Sequence, residues 1–193
     1  MLDPIGKLAL WLEEETQRGN PFPQGAVLAT QGRNGMPRSR MVRVSFDQDN
    51  APAFFASRVS RKISDIEANP LASLTFAFQT SLRSVSIEGR LEPMRLDLLE
   101  AYWSDLDAGF RRKLLVCGER SGQPIDSTDA LAQSLSALPP GAETARPDSF
   151  VGFRMIEMTR ADFHAVSRGG IDQCELYERA TASLPWQWRR RVP

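Results

Sequence analysis

The chain has 193 residues, which fits one folded domain with a sizeable core. Hydrophobic residues make up 41% and charged residues 25%, and 24 Lys and Arg balance 24 Asp and Glu. This balance gives no indication of nucleic acid or an anionic membrane as the main partner. No apolar run approaches the roughly 20 residues of a membrane span, and the first residues carry acids where a signal peptide carries bases. We therefore expect a cytoplasmic protein.

The few cysteines and the single histidine limit the chemistry that side chains can perform. Cys117 and Cys174 lie far apart and in no CxxC or Cys/His spacing, so we expect neither a metal site nor a disulfide framework. His164 is the only histidine, which leaves no His-rich metal site and no His-based triad with an obvious nucleophile motif. An enzyme of this composition would depend on a cofactor.

The first predicted element is an amphipathic helix over Pro4 to Arg18, which ends at Gly19-Asn20-Pro21. Glu13, Glu14 and Glu15 are predicted to face outward. The apolar residues at helical spacing are Ile5, Leu8, Leu10, Trp11 and Leu12.

From Gly25 the pattern changes to short apolar runs separated by turn residues, which predicts antiparallel strands. The segments GAVLAT, PRSRMVRVSF, AFFA, LASLTFAF and SVSIEGRLEP are the predicted strands, and SRKISDIEANP is a short helix among them. Residues Leu96 to Val116 and Ser127 to Leu138 have a helical pattern, the second with Ser127 as N-cap. VGFRMIEMTRADFHAV and two short segments, around Glu175 to Arg179 and Trp186 to Val192, are the remaining predicted strands.

This order of elements predicts an α+β fold with a barrel-like sheet. We expect a single domain over residues 1–193, with an N-terminal helix (1–20), a core barrel (25–93), a helical insertion (95–140) and C-terminal strands (150–193).

Ser60-Arg61-Lys62 opens the short helix with two cations at the positive end of the helix dipole. On helix energetics alone this placement is unfavourable. It becomes favourable if a phosphate binds there, because the hydroxyl, the free amides and both cations then attract one dianion. The alternative is a solvated surface pair.

Arg40 shares a face of its predicted strand with Arg38, Val42 and Val44. An arginine beside β-branched apolar residues needs an anionic partner if it is partly buried. That partner is either a ligand or a carboxylate, for which Glu88 and Asp65 are the candidates.

These stretches resemble, in order and spacing, the pyridoxamine 5'-phosphate oxidase family. The matching motifs are LAT before a Gly-containing turn, then PRSRMV, FFASRVSRK, a helix ending in NP, LASLTF and VSIEGRLE. The block from about Leu28 to Pro93 is nearly free of gaps, and a weaker match continues through Tyr102 and SGQPI into FVGFRM and ELYER.

The resemblance implies an antiparallel split β-barrel with flanking helices, which binds FMN between the two subunits of a homodimer. Its substrate would be a small molecule, with no nucleic acid or membrane partner. The residues implied in FMN binding are Arg40, Met41, Val42, Arg43, Val44, Ser45, Phe55, Ala56, Arg61, Lys62, Ser84 and Arg179.

The positions that bind substrate in the family are less well kept. Ser45, or a shifted Arg43, stands where the family has lysine. Tyr102 is retained, but the residues after it, DLDAGFRRK, differ from the family's pattern. Glu175 and Tyr177 replace an arginine and a histidine, and Glu175 would repel a substrate phosphate.

His164 stands where the family has tryptophan, so the resemblance implies a place against the flavin, with a structural role as the alternative. Three functions follow as hypotheses. The first is oxidation of pyridoxamine or pyridoxine 5'-phosphate, and the second is FMN chemistry on another substrate, such as a larger aromatic ring or a nicotinamide donor. The third is a flavin-binding module without turnover.

Overall fold

The computed structural model describes residues 3–193. The helices are α1 (Pro4–Gln17), α2 (Arg61–Ala68), α3 (Leu96–Asp105), α4 (Ala108–Cys117) and α5 (Asp129–Ala137), with a 3-10 turn at Gly118–Arg120. The strands are β1 (Gly25–Gln31), β2 (Pro37–Phe46), β3 (Pro52–Ser57), β4 (Leu71–Phe78), β5 (Arg83–Pro93), β6 (Phe150–Ala165), β7 (Gln173–Glu178) and β8 (Gln187–Arg191).

All eight strands form one antiparallel sheet in the order β3-β2-β1-β4-β5-β6-β7-β8. Strand β6 is long enough to pair with β3 through Phe150–Arg154 and with β5 along most of its length. The β3–β6 pairing closes β1 to β6 into a barrel, and β7 and β8 extend from it. The predicted α+β split barrel with flanking helices is therefore confirmed.

A bulge between Glu88 and Arg90 lets β5 bend around the closed barrel. A Cβ atom at Gly89 would lie 2.8 Å from the Ile156 carbonyl oxygen, so the close approach of the two strands requires glycine at this position.

The apolar faces of the strands point into the barrel and form its core. Phe54, Leu74 and Phe76 are fully buried there, and Phe78 nearly so. Alternation turns Phe54, Phe76 and Phe78 inward, whereas Phe55 lies on the opposite face of β3 and is half-buried.

Helix α1 packs on the barrel through Leu8 and Leu12, as predicted. Two of its residues are placed differently from the expectation. Glu15 is fully buried rather than outward, and Leu10 is 46% exposed. The buried face continues Leu8 and Leu12 by one further turn, which brings Glu15 inward, where Asn20 donates a hydrogen bond to its carboxylate.

The predicted helix over Leu96 to Val116 is two helices. Helix α3 ends at Asp105, and the Asp107 side chain accepts a hydrogen bond from the Phe110 amide and so caps α4. The N-cap of α5 is Thr128 rather than Ser127, whose hydroxyl accepts a bond from the Asp129 amide.

Candidate functional site

A buried carboxylate organises the cations that the sequence identified. Asp65 on α2 is 1% exposed, and Arg38 donates to it at 2.6 Å and Arg40 at 3.3 Å. Arg40 also donates to the Thr30 hydroxyl at 2.7 Å, and that hydroxyl bonds to Asp65 at 3.1 Å. Of the two partners considered for Arg40, the structure therefore shows Asp65.

Asp65 does not neutralise all the cations around it. Its one carboxylate faces two arginines, and two further cations, Arg61 and Lys62, lie nearby. Burial lowers the pKa of Arg40, Asp65 opposes that shift, and the charges of Arg38 and Arg61 add to it. The cluster formed by Arg38, Arg40, Arg61 and Lys62 keeps an excess of positive charge at the start of α2. An anion bound there would be favoured by this charge and by the free amides of the helix.

Neither Arg61 nor Lys62 forms an ion pair with an acid of the described residues 3–193, and Lys62 is the more buried of the two. Its ammonium donates to the Ser60 hydroxyl at 3.2 Å. Burial lowers the pKa of Lys62, and the charge of Arg40 lowers it further. A desolvated ammonium next to another cation is costly unless an anion binds, so this site favours a phosphate or carboxylate.

Lys62 also lines a cavity of about 220 Å³ against the barrel wall. Six further residues from the sequence analysis line the same cavity: Met41, Val42, Arg43, Phe55, Ala56 and Tyr102. The structure thus brings together side chains from β2, β3, α2 and α3. This volume is below the roughly 300 to 1,000 Å³ of pockets that enclose a whole drug-sized ligand, so the cavity fits part of a larger ligand or a single ring system.

Aromatic rings form one side of the cavity. Phe55 stacks on Tyr102 with ring centroids 3.5 Å apart, and on Phe150 with centroids 5.3 Å apart. Such flat apolar surfaces suit a planar ligand.

The cavity has four lining residues that no sequence motif identified. Leu106, Phe110 and Leu114 line the cavity from α4 and the turn before it, and Phe150 contributes from β6. Their spacing of four residues places Phe110 and Leu114 on one helical face, and this spacing was the available signal.

Besides Arg40, three of the predicted cofactor residues lie on the same elements without lining the cavity. Val44 is 1% exposed and belongs to the barrel core. The Ser45 hydroxyl lies 3.5 Å from the Ala53 carbonyl oxygen, across the β2–β3 pair. Arg61 is exposed at the first position of α2.

The remaining predicted residues form a second group, on β5 to β7. Ser84 and His164 face each other across the β5–β6 pair. The His164 Nε2 atom lies 3.1 Å from an Asp172 carboxylate oxygen, and the other oxygen accepts a bond from the Ser167 amide at 2.9 Å. These contacts fix the ring of His164 at the barrel surface.

Glu175 is engaged within its own subunit. Its carboxylate accepts a hydrogen bond from Lys7 on α1 at 2.7 Å and another from the Trp188 indole at 2.8 Å. The Tyr177 hydroxyl lies 3.5 Å from the same carboxylate. Burial raises the pKa of Glu175, but the bonds from Lys7 and Trp188 outweigh it and the pKa is lowered overall. These contacts attach α1 to the barrel, and they compensate the charge that the sequence analysis expected to repel a substrate phosphate.

Tyr177 is 3% exposed and packs edge-on against Phe163, with ring centroids 5.4 Å apart. Arg179 donates to the Met158 carbonyl at 2.6 Å and stacks on Trp186, with its guanidinium carbon 4.2 Å from the ring centroid. Burial lowers the pKa of Arg179.

Within residues 3–193, no hydrogen bond, ion pair or shared cavity connects the group at Lys62 with the group at His164, Glu175 and Arg179. The same part of the chain places no three His, Cys, Asp or Glu side chains where they could hold a metal ion. No helix there is long and apolar enough to cross a bilayer.

Comparison with known proteins identifies relatives over most of the chain. A family model described as pyridoxamine 5'-phosphate oxidase matches residues 12–135. A pyridoxine/pyridoxamine 5'-phosphate oxidase of Cupriavidus pinatubonensis is 31% identical over 156 residues, covering 80% of this chain and 73% of the relative. One from Burkholderia ambifaria is 29% identical over 194 residues, covering 99% and 89%.

Two solved structures share the fold over nearly the whole chain. PhzG from Burkholderia lata 383, in complex with tetrahydrophenazine-1-carboxylic acid, has a TM-score of 0.81 and 24% identity, covering 99% of this chain and 93% of that one. A pyridoxamine 5'-phosphate oxidase-related, FMN-binding protein from Nostoc punctiforme has a TM-score of 0.83 and 20% identity, with full coverage of both chains. The family match, the sequence relatives and the closed barrel agree, so the chain belongs to the pyridoxamine 5'-phosphate oxidase family.

Proposed function

We propose that this protein binds FMN and acts as an FMN-dependent oxidoreductase. The observation that carries the proposal is the half-buried ammonium of Lys62, which has no acid partner in residues 3–193 and borders an aromatic cavity. A flavin mononucleotide combines a phosphate dianion with a large planar ring. The excess of cations suits the phosphate, and the flat aromatic surfaces suit the ring.

The residues present fit this cofactor. Lys62, Arg61 and Arg40 would hold the phosphate at the start of α2, with Asp65 keeping Arg40 in position. The strand from Met41 to Ser45 and the adjacent Phe55 and Ala56 would lie along the rest of the molecule. Arg40 remains bonded to Asp65, so it adds charge to the phosphate site from a fixed position.

Bound FMN supplies the chemistry by accepting a hydride from the substrate. The protein's part is to bind and orient both molecules and to exclude water from the space between them. No protein nucleophile is required, which agrees with the composition of the chain. His164, held by Asp172, is a candidate to tune the flavin or to move a proton there.

Pyridoxamine or pyridoxine 5'-phosphate is the first substrate to test, because the curated relatives carry that name. We expect weak or absent turnover, because Ser45, Glu175 and Tyr177 replace cationic or donor positions of the family. The first alternative is FMN chemistry on another substrate, such as a larger aromatic ring or a nicotinamide donor. The second alternative is a flavin-binding module without turnover.

We also propose that the working form is a homodimer, as expected for this family. Many of the outward side chains of β1, β2, β4 and β5 are small and would supply a flat face for this contact. They include Val27, Ala29, Ser39, Ser73, Thr75 and Ser86. Ser84, His164 and Arg179 of one subunit would then approach the cavity of the partner subunit, while Glu175 and Tyr177 stay packed within their own subunit.

The proposal is tested by FMN titration of the purified protein, followed by flavin absorbance and fluorescence. A charged hydrogen bond contributes about 1.5 to 3 kcal/mol, so Lys62→Ala should weaken FMN binding by roughly 10- to 150-fold. Lys113→Ala is the matched control, because Lys113 is an exposed lysine on α4 that does not line the cavity. The control should bind FMN as the wild type does.

Wild-type protein that stays colourless and binds no FMN in the titration would reject the proposal. Equal FMN affinity of Lys62→Ala and wild type would reject the phosphate site at α2. Turnover of pyridoxamine 5'-phosphate under air separates the first substrate hypothesis from the others. Bleaching of the flavin by NADH or NADPH separates a nicotinamide-dependent enzyme from a module without turnover.

A further inference from the structure

Arg43 is a cation of the cavity that stands apart from the proposed phosphate site. Lys62 and Arg43 both line the cavity. Burial and the charge of Arg40 lower the pKa of Lys62, and Arg43 is not among the charges that act on it. Arg43 follows Arg40 on β2 by three residues, which is about 10 Å along a strand. The charge of Arg43 is therefore separate from the cluster that would hold the phosphate.

The strand register places Arg43 beside Phe55, whose ring forms one flat side of the cavity. Val44 pairs with Phe54 across β2 and β3, and both side chains are buried in the barrel core. Continued by one residue, this register sets Arg43 opposite Phe55, and alternation turns both outward. Opposed side chains of neighbouring strands have Cβ atoms about 4.5 to 5.5 Å apart. Arg43 thus lies at the part of the cavity that would take the flavin ring.

The charge of Arg43 has no compensating acid in the described part of the chain. No Asp or Glu of residues 3–193 lines the cavity or forms an ion pair with Arg43. The Nε atom of Arg43 donates to the Gln24 side chain at 3.1 Å, and the Gln24 carbonyl oxygen accepts a bond from the Val44 amide at 2.9 Å. These contacts leave the two terminal nitrogens of the guanidinium to donate to a ligand.

A cation at this position distinguishes the two oxidation states of a flavin. A hydride carries two electrons and one proton from the substrate to the neutral ring, so the reduced ring bears one negative charge. A positive charge beside the ring therefore attracts the reduced form more strongly than the oxidised form. The cations at α2 would contact a phosphate whose charge is the same in both states, so they contribute affinity without this distinction.

We infer that Arg43 raises the reduction potential of the bound flavin by stabilising its reduced form. This inference rests on the proposed FMN function. It separates two properties of one site, because Lys62 would determine how tightly FMN binds and Arg43 how readily the bound ring accepts a hydride.

The experiment measures the reduction potential of the FMN-loaded protein, by stepwise anaerobic reduction together with a reference dye of known potential. In Arg43→Gln, the affinity for reduced FMN relative to oxidised FMN should fall about tenfold, which lowers the potential of a two-electron couple by about 30 mV. We expect no larger effect, because Arg43 is exposed within one chain and water screens part of its charge. Arg43→Lys keeps the charge and should show a smaller fall than Arg43→Gln.

Arg33→Gln is the matched control. It makes the same change at an exposed arginine in the turn between β1 and β2, which does not line the cavity, and it should keep the wild-type potential. FMN titration gives a second measurement, in which Arg43→Gln should bind oxidised FMN nearly as the wild type does, unlike Lys62→Ala. Equal potentials of Arg43→Gln and wild type would overturn the inference, as would an equal fall in Arg33→Gln.

The outcomes distinguish this inference from the proposed function. Protein that binds no FMN overturns both. FMN-bound protein whose potential does not respond to Arg43→Gln overturns only the role of Arg43. FMN-bound protein that shows the expected fall but turns over none of the substrates tested keeps the role of Arg43 and favours the flavin-binding module over the oxidoreductase.

Discussion

Removing the charge of Asp65 should destabilise the protein more than any surface ion pair does. The change is Asp65→Asn, which keeps the size of the side chain and so creates no cavity. Asp65 is 1% exposed and accepts bonds from Arg38 at 2.6 Å and from Arg40 at 3.3 Å. The variant would leave both guanidinium groups, each 21% exposed, beside the charges of Arg61 and Lys62 without a compensating acid.

Breaking a buried ion pair from one side costs about 3 to 5 kcal/mol, and the partial exposure of the arginines favours the lower end. We therefore expect the free energy of unfolding to fall by about 3 kcal/mol. For a chain of this size that corresponds to a melting temperature lower by roughly 6 to 12 °C. Urea unfolding and thermal melting of the FMN-free protein measure both quantities.

Asp97→Asn is the control, because Asp97 pairs with Arg95 at the surface, where the side chains are 59% and 71% exposed. Screening by water makes such a pair weak, and the control should unfold as the wild type does. If Asp65→Asn also unfolds at the wild-type urea concentration, Asp65 does not hold the arginines in place. The description of the cation cluster would then be wrong.

Two further predictions concern α1 and the subunit contact. Glu175→Gln should lower the urea midpoint at pH 7. The difference from wild type should shrink as the pH falls from the ordinary pKa of glutamate, about 4.3, through the lowered pKa of Glu175, because the carboxylate stabilises the fold only while it is ionised. A difference that does not shrink on acidification would contradict this. Light scattering should give twice the 21.6 kDa chain mass for the wild type. Thr75→Arg puts a charge on the flat outer face and should give the monomer. Ser134→Arg on α5 is the control and should give the dimer. A dimeric Thr75→Arg protein would place the contact elsewhere.

Replacing Glu175 and Tyr177 by the family's arginine and histidine would remove the ion pair between α1 and β7. An arginine at position 175 would face Lys7, which now donates to Glu175 at 2.7 Å. We expect that double variant to loosen α1 from the barrel, because two cations would replace an ion pair.

The order and type of nearly all elements, and the residues around the proposed phosphate site, could be predicted from local patterns in the sequence. Alternation in β2 placed Arg40, Val42 and Val44 on one face, since the side-chain period of a strand is fixed by backbone geometry. The cations at the start of α2 were recognisable because their position conflicts with the helix dipole, a local effect. Local rules of this kind need no knowledge of the rest of the fold.

Contacts between side chains of distant segments could not be predicted in this way. The pairing of Lys7 with Glu175 spans 168 residues, and the choice of Asp65 over Glu88 for Arg40 depends on how α2 packs against β1 and β2. The wall formed by Leu106, Phe110 and Leu114 exists because the turn at Asp107 sets α4 over the cavity. Long-range contacts follow from closing the barrel and docking helices on it, and neither periodicity nor local motifs encode that geometry.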